Sequence, residues 1–304
     1  MTKYAPIVMF VYCRPDHAKQ TIEALLRNKE ASETDIFIYS DAPKNDKARQ
    51  GVAKTRYYIH SITGFKSVTI IERQENWGLA RSLVDGITTI VNKYGRVIVI
   101  EDDIKVSQYC LKYFNDGLEL YEDDAQMASI HAYTYPHKEK LPDTFLIKGA
   151  DCWGWATWKR AWDKFCNDPV LLKQKLIETK RVREFDFNYT YPYMGMLQRR
   201  IDGLNSSWAI CWYASTFLND MYTLYPNVSM AEQIGMDGVG ATHSGVSSAY
   251  NVSVATSPIE LGPIQNYRNS KEGLKAFRHF FKMNCLGYRG HIKRILKLIF
   301  RYNR

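Results

Sequence analysis

Residues 97–100 read Val-Ile-Val-Ile, and three carboxylates, Glu101, Asp102 and Asp103, follow without a break. Four consecutive β-branched aliphatic residues favour a strand that is buried on both faces, as in a parallel sheet covered by helices. Acidic residues form strands poorly, so we expect the strand to end there, with the carboxylates at its carboxyl end. In open α/β sheets that edge is where ligands bind. The feature therefore predicts an α/β chain with an acidic site at one edge of its sheet.

These three carboxylates need a cation or hydrogen-bond donors among them, because adjacent negative charges repel each other. Their oxygens suit Mg²⁺ or Mn²⁺, which typically bridge one or two carboxylates to the phosphates of a substrate. The alternative is a solvated acidic turn after a core strand. The wholly apolar strand favours the metal site.

The segments before the acidic strand alternate between strand and helix patterns. Strands are predicted at 7–12, 35–40 and 67–72, and helices at 16–27, 44–62 and 78–91. This alternation with short connections is typical of a doubly wound, mostly parallel sheet flanked by helices.

The second half of the chain is rich in aromatic residues and has two short strand candidates, at 126–131 and 145–147. All seven tryptophans except Trp77 fall between residues 153 and 212. We expect most of these rings to pack in a core and a few exposed rings to stack on sugar faces.

The formal net charge of +9 is concentrated at the end of the chain. Residues 271–304 carry ten Lys or Arg against one acid, Glu272, so the preceding body is formally neutral. This distribution argues against a basic cleft for nucleic acid and indicates a single attachment element.

The basic tail, residues 266–304, also carries an apolar stripe. Phe277, Phe280 and Phe281 are followed by Ile292, Ile295, Leu296, Ile299 and Phe300, and this later set has helical spacing. A basic amphipathic helix is typical of an interface with anionic lipid. The alternative is a basic helix that docks on its own domain or on RNA.

Cysteine spacing and hydropathy predict a cytoplasmic protein. The six cysteines are scattered without a C-x-x-C pair, which favours reduced thiols over a disulfide frame or a zinc site. No run approaches the roughly 18 apolar residues of a spanning helix, and the N-terminus leads straight into a strand without a leader pattern.

Five motifs together resemble glycosyltransferases of the GT-A fold. They are Phe-Val-Tyr-Cys-Arg-Pro-Asp-His at 10–17, Asn-Trp-Gly-Leu-Ala-Arg at 76–81, Glu-Asp-Asp at 101–103, Trp-Gly-Trp at 153–155 and Ser-Trp-Ala-Ile-Cys-Trp at 207–212. The acidic and Trp-Gly-Trp motifs resemble the N-acetylglucosaminyltransferase I group. The first and last motifs are similar to those of bacterial capsule and lipopolysaccharide glycosyltransferases. The resemblance covers roughly residues 5 to 245.

This resemblance implies a Rossmann-like GT-A domain over residues 1–265, with a nucleotide-sugar-binding half at 1–125 and an acceptor and catalytic half at 126–265. It implies an inverting, Mn²⁺- or Mg²⁺-dependent hexosyl- or N-acetylhexosaminyltransferase. The donor would be a nucleotide diphosphate sugar, with UDP favoured, and the acceptor a glycan or lipid-linked sugar of a bacterial surface polysaccharide. With the tail, it implies a peripheral protein at the inner face of the membrane.

The resemblance also assigns roles at the donor site: Asp103 ligates the metal, and Glu101 with Asp102 orients the ribose and the sugar hydroxyls. Three more donor-site candidates come from their positions in the sequence. Arg81, early on a helix after Gly78, is placed to meet phosphate, or is a surface arginine. Asp41, which ends the second strand, is placed to accept from a base edge, or forms an Asx-turn. Arg14, before Pro15, is placed to form hydrogen bonds with the nucleotide-sugar, or is likewise a surface residue.

An inverting transfer needs a carboxylate that removes the acceptor proton. Asp202 is the first candidate and Asp151 the second, and each could instead be a cap or turn residue. The glycine-rich residues 234–243 suit a lid over a bound donor, and His243 at their end is a candidate metal ligand.

Two rival functions remain open at this point. One is a nucleotidyltransferase that makes a nucleotide-sugar at the same metal site. The other is a non-catalytic protein that binds nucleotide-sugar or glycan. Since a Walker A motif and a G-x-G-x-x-G after a strand are both missing from the sequence, kinase and dehydrogenase functions lose support.

Overall fold

The computed structural model describes residues 4–238 and 247–286. Within them the strands are β1 (Ile7–Val11), β2 (Asp35–Ser40), β3 (Ser67–Glu72), β4 (Arg96–Glu101), β5 (Ile104–Val106), β6 (Met127–His131), β7 (Thr144–Lys148), β8 (Trp155–Trp158), β9 (Tyr222–Pro226) and β10 (Ala231–Gln233). The α-helices are α1 (Pro15–Leu26), α2 (Asp46–Ile59), α3 (Leu79–Tyr94), α4 (Cys110–Leu120), α5 (Lys159–Trp162), α6 (Pro169–Glu178), α7 (Val182–Phe185), α8 (Tyr193–Ile201), α9 (Trp208–Leu218) and α10 (Lys271–Phe281). A 3₁₀ helix (Lys29–Glu33) precedes β2, and a π-helical turn (Lys282–Leu286) follows α10.

The first four strands form the parallel half of an eight-stranded sheet. Their order is β3-β2-β1-β4, and every pairing among them is parallel. Helices α1, α2 and α3 connect these strands in sequence, which is the arrangement of a Rossmann-like sheet. The strands and helices predicted for this half are confirmed, with small differences at their ends.

The second half of the sheet is mixed and continues as β4-β8-β6-β9-β7. Strand β8 runs antiparallel to both β4 and β6, and β7 runs antiparallel to β9. Strands β6 and β9 are parallel, because helices α5 to α9 separate them along the chain and provide the crossover. The reversed direction of β8 brings the residues before it to the carboxyl end of β4.

Five tryptophans build the core beside β4, as predicted for most of these rings. Trp155 on β8 stacks against Trp208 with a centroid separation of 5.7 Å and contacts Trp212 at 5.6 Å. Trp158 and Trp162 are also buried, whereas Trp153 stays partly exposed. Trp155, Trp162, Trp208 and Trp212 pack in one cluster and fix α5 and α9 on one face of the sheet, whereas Trp158 packs in the core on the other face.

Helix α10 makes the first part of the basic tail a component of the fold. Ser270 caps it, since its Oγ accepts from the N–H of Gly273 at 3.0 Å. Phe277, Phe280 and Phe281 are buried in an aromatic cluster, so these three rings face the protein interior. The apolar stripe from residue 292 onward lies outside the described residues. Among the helices that the structure describes, none combines the length and apolar character needed to cross a membrane.

Candidate active site

Arg14 and the acidic motif meet at the carboxyl edge of the parallel strands. Strands β1 and β4 are neighbours, with Phe10 opposite Glu101, so the residues after both strands emerge side by side. The Arg14 guanidinium forms ion pairs with Asp102 and, at 2.9 Å, with Asp103. The pairing of β1 with β4 therefore produces a charged cluster at this edge.

The chain after β10 covers this cluster. Gln233 is buried, and its Nε2 donates to Oδ2 of Asp103 at 3.0 Å while its Oε1 accepts from the N–H of Gly235. The N–H of Ile234 donates to the carbonyl of Asp103 at 2.8 Å. We call residues 233–237 the strap. Sequence reasoning identified this stretch as a glycine-rich loop but missed Gln233, because nothing local marks a long-range partner of Asp103.

A second contact holds the strap against helix α1. His17 is buried, and its Nε2 lies 3.1 Å from Oδ2 of Asp237. A Cβ atom at Gly235 would lie 2.2 Å from Oδ2 of Asp103 and 2.8 Å from Nη1 of Arg14. The strap backbone therefore packs directly on the charged cluster. His243 lies outside the described residues.

Burial and mutual repulsion disturb the titration of the acidic motif. Burial, with the charges of Asp103 and Asp102, raises the pKa of Glu101 to about 8. Burial likewise raises the pKa of Asp102 to about 6, although the Arg14 guanidinium opposes this change. Three carboxylates share one guanidinium, so the cluster lacks positive charge and suits an added cation.

The donor set fits a divalent ion of the Mg²⁺ or Mn²⁺ type. Such ions are usually held by one or two carboxylates, with phosphates and water completing the shell. Asp103 and Asp102 supply two adjacent carboxylates at the sheet edge. In residues 4–238 and 247–286 no group of three or more His, Cys, Asp or Glu side chains is arranged so that it could hold a metal ion by itself.

Asp41 is buried at the end of β2, and both of its oxygens are engaged within the protein. Oδ1 accepts from the N–H groups of Ala42 and Trp77, at 3.0 and 2.9 Å. Oδ2 accepts from the N–H of Gly78 at 2.8 Å and from Nδ2 of Asn76 at 3.1 Å. Four donors occupy about as many lone-pair sites as a carboxylate offers. Asp41 thus shapes the turn before α3, which agrees with the turn alternative for this residue.

Arg81 lies in the first turn of α3 with its guanidinium stacked on Trp77. Arg81 and Arg73 each lie 3.8 Å from the centroid of the Trp77 ring, which is therefore held between two cations. Arg81 is exposed, whereas Arg73 is paired with Asp85. The stack holds Arg81 at the N-terminal end of α3.

Asp151 lies close to the acidic motif. Val99 on β4 pairs with Trp155, the first residue of β8, so the segment before β8 lies at the carboxyl end of β4. The carboxylate of Asp151 accepts from the N–H of Cys152 at 2.8 Å and from the hydroxyl of Tyr135 at 3.0 Å. Burial and the charges of Asp151, Glu101 and Asp103 all raise the pKa of the Cys152 thiol. The Cys152 thiol is thus within electrostatic range of both acidic groups.

Asp202 is placed differently. It caps the C-terminal end of α8, is exposed, and accepts from Nε2 of Gln198 at 2.7 Å. Its described contacts stay within α8, which agrees with the cap alternative. The structure therefore brings Arg14, Glu101, Asp102, Asp103 and Asp151 to one region and does not bring Asp202 there.

Asp151 accepts from Tyr135, which belongs to a group of packed aromatic rings. We call this group the aromatic chamber: Tyr133, Tyr135, Trp153, Tyr191, Tyr193 and Tyr250. Trp153 meets Tyr133 and Tyr250 edge to face, at 4.9 and 5.4 Å. The segment that leads to Tyr191 has positive φ at Phe187, Asn188 and Tyr189. Left-handed backbone costs roughly 1–2 kcal/mol at each residue that has a side chain. Such strain is typical of functional sites.

Comparisons with known proteins complete this description. No family model matches the sequence, and no curated protein matches it. The chain is similar in structure to S. aureus TarS 1-349, with TM-score 0.42 and 10% identity, over 75% of this chain and 59% of that one. It is also similar to the mannosyltransferase PcManGT from Pyrobaculum calidifontis in complex with GDP-Man and Mn²⁺ (TM-score 0.37, 9% identity, 71% and 70% coverage). A third is a structure assigned as a glucose-1-phosphate thymidylyltransferase from Bacillus anthracis (TM-score 0.34, 11% identity, 53% and 74% coverage).

Proposed function

We propose that this chain is a glycosyltransferase that moves a sugar from a nucleotide diphosphate donor, UDP-sugar being favoured, to a hydroxyl of a glycan or lipid-linked acceptor. The observation that carries the proposal is the cluster of Arg14, Asp102 and Asp103 at the carboxyl edge of β1 and β4. A diphosphate leaving group needs its growing charge neutralised at a fixed place, and this edge supplies a guanidinium and carboxylates for a divalent ion.

At the donor site, Asp103 with Asp102 would hold Mn²⁺ or Mg²⁺. When bound, the ion supplies positive charge that neutralises the diphosphate. Arg14 and Arg81 donate to phosphate oxygens from either side of the edge. Glu101 orients the sugar hydroxyls. Asp41 acts indirectly, since its four hydrogen bonds hold the turn that presents Trp77 and Arg81.

Asp151 is the general base of the proposed reaction, in preference to Asp202. The acceptor hydroxyl lies in the aromatic chamber and loses its proton to the Asp151 carboxylate. Its oxygen bonds to the anomeric carbon as the bond from that carbon to the diphosphate breaks, which inverts the configuration and releases nucleoside diphosphate. The partly exposed rings of Trp153, Tyr191 and Tyr193 provide faces for sugar stacking.

Two isosteric substitutions test the assignment of the base. Asp151→Asn should leave the donor Kd nearly unchanged and lower kcat by on the order of 10²-fold or more, as loss of a general base does. Asp202→Asn is the matched control and should keep both constants near wild type. The reverse pattern would transfer the role to Asp202, and full activity in both variants would place the base elsewhere.

The rival nucleotidyltransferase function uses the same metal chemistry and sheet edge, and its products identify it. A glycosyltransferase releases nucleoside diphosphate from a nucleotide-sugar. A nucleotidyltransferase releases pyrophosphate from a nucleoside triphosphate and a sugar phosphate. A protein that only binds the nucleotide-sugar releases neither. The aromatic chamber with its carboxylate favours the transferase, because it provides an acceptor site beside the donor edge.

A further inference from the structure

A cavity of about 710 Å³ lies between helix α3 and the turn that joins α8 to α9. We call it the α3 groove. Its lining includes Gly78, Arg81 and Asn92 on one side, and Arg200 and Trp208 on the other. None of Glu101, Asp102, Asp103 or Asp151 lines it. The groove therefore does not include the acidic cluster, although it adjoins the proposed donor site and shares Arg81 with it.

The α3 groove is long. Its lining on α3 runs from Leu79 to Asn92, which spans about 20 Å at 1.5 Å per helical residue. A single ion or one sugar ring would occupy only part of this length. The shape fits an extended ligand made of several units.

Short hydrogen-bonding side chains dominate the polar part of the lining: Thr88, Thr89, Asn92, Asn167 and Ser206. The hydroxyl oxygen of Thr88 accepts from Nε1 of Trp162 at 2.9 Å, which leaves its O–H to donate. Asn92, Asn167 and Ser206 are exposed. Amide and hydroxyl groups in a row match a ligand with many hydroxyls better than an apolar peptide.

The charge in the groove is positive. Arg81 has no acidic partner among the described residues. The Arg200 guanidinium contacts two neutral groups, Oδ1 of Asn167 at 3.4 Å and the Cys211 thiol. The acid in the lining, Asp85, is paired with Arg73. Planar guanidinium groups bind carboxylates through paired hydrogen bonds.

We propose that the α3 groove is a second binding site, which takes an extended acidic oligosaccharide with a carboxylate that meets Arg200. This proposal rests on the proposed function in one respect: an enzyme that extends a glycan would hold that glycan in the α3 groove. Binding is measured without donor, metal or turnover, so failure of the transferase proposal leaves the result interpretable.

The test is calorimetric titration of the full chain with trigalacturonate, with maltotriose as a neutral oligosaccharide of the same length. Trigalacturonate should bind and maltotriose should bind at least tenfold more weakly. Arg200→Gln should weaken trigalacturonate binding by about tenfold or more, since charge-assisted hydrogen bonds are lost. Arg199→Gln removes the same charge from the same helix outside the groove and should change the Kd by less than about twofold.

Three results would overturn the proposal. They are equal binding of both oligosaccharides, an equal loss of trigalacturonate affinity in the two arginine variants, and no binding of trigalacturonate. Inorganic phosphate is a third probe, and an affinity for phosphate equal to that for trigalacturonate would reduce the groove to a simple anion site. If Arg200→Gln fails to fold, Asn92→Glu provides a second variant on exposed helix surface. It should weaken trigalacturonate binding, whereas the neutral Asn92→Gln should not.

Discussion

At the scale of single residues, the sequence predicted that the fourth strand ends at the acidic motif but not the contacts made there. Arg14 and the acidic motif follow neighbouring strands, so their proximity follows from strand order alone. Gln233 lies 130 positions from Asp103, and its hydrogen bond depends on the pairing of β10 with β5. No local pattern encodes a pairing over such a distance, which is why the strap contacts could not be predicted.

The most sensitive residue in the strap is Gly235. A Cβ placed there overlaps Oδ2 of Asp103, so Gly235→Ala should displace that carboxylate. We expect donor turnover to fall by about tenfold or more, with a small change in the thermal midpoint because the displaced atom ends a short side chain. Gly262→Ala is the control, since an added Cβ at Gly262 meets nothing within 4 Å. Unchanged turnover in Gly235→Ala would show that the strap leaves the site during catalysis.

At the scale of elements, the first half of the sheet was predictable because β1, β2 and β4 each contain a continuous apolar run. Strand β8 was missed, since Trp-Ala-Thr-Trp is short and its tryptophans were interpreted only as core residues. Its reversed direction is what carries Asp151 to the acidic edge. Sequence ranking therefore put Asp202 first, because the antiparallel pairing that moves Asp151 into place has no signature in the local sequence.

Strand β6 contributes a buried histidine that links pH to stability. In His131, Nδ1 donates to the carbonyl of Tyr133 at 2.7 Å, and Nε2 accepts from the N–H of Trp153 at 3.0 Å. Protonated Nε2 would face another donor, and burial lowers the pKa of His131. Below the ordinary histidine pKa, about 6.5, the unfolded chain therefore binds a proton that the folded protein resists.

The free energy of unfolding should consequently decrease as the pH is lowered from about 7.5 to about 5.5. His131 should account for on the order of 1 kcal/mol of this decrease. Urea unfolding at the two pH values measures it. His131→Gln should show a smaller loss, and substitution of the exposed His60 by Gln should not reduce the loss. Equal pH dependence in wild type and His131→Gln would contradict this account of the ring.

At the scale of the whole molecule, the body of the chain before residue 271 is formally neutral and the end is basic. The predicted membrane-binding tail begins at residue 266, but α10 buries its phenylalanines in the aromatic cluster. The phenylalanines of α10 are therefore not available for contact with lipid. Residues 287–304 hold six Lys or Arg and no acid. We propose that this shorter segment carries the attachment to anionic lipid at the inner membrane face, where capsule or lipopolysaccharide acceptors would be available.

Deletion of residues 287–304 lowers the formal charge from +9 to +3 and leaves α10 intact. Each basic residue near an anionic surface contributes about 1 kcal/mol, so the truncated protein should lose binding to anionic vesicles in co-sedimentation. Transfer to a soluble acceptor should persist. A variant in which Ile292, Leu296 and Ile299 are all replaced by Ser keeps every charge of the segment. Its binding to vesicles should be salt-sensitive, because only screened electrostatic attraction remains. Equal sedimentation of the truncated and full chains would exclude this attachment.

The central claim is metal-assisted cleavage of a nucleotide-sugar at the edge of β1 and β4. The direct measurement is release of nucleoside diphosphate from a panel of nucleotide-sugars, with Mn²⁺ or with excess chelator. We expect one donor to be cleaved with Mn²⁺, and both chelator and Asp103→Ala to abolish release while the variant keeps its fold. Any of three results would contradict the claim. They are full release in chelator, full release by a folded Asp103→Ala protein, and release of pyrophosphate from a nucleoside triphosphate instead.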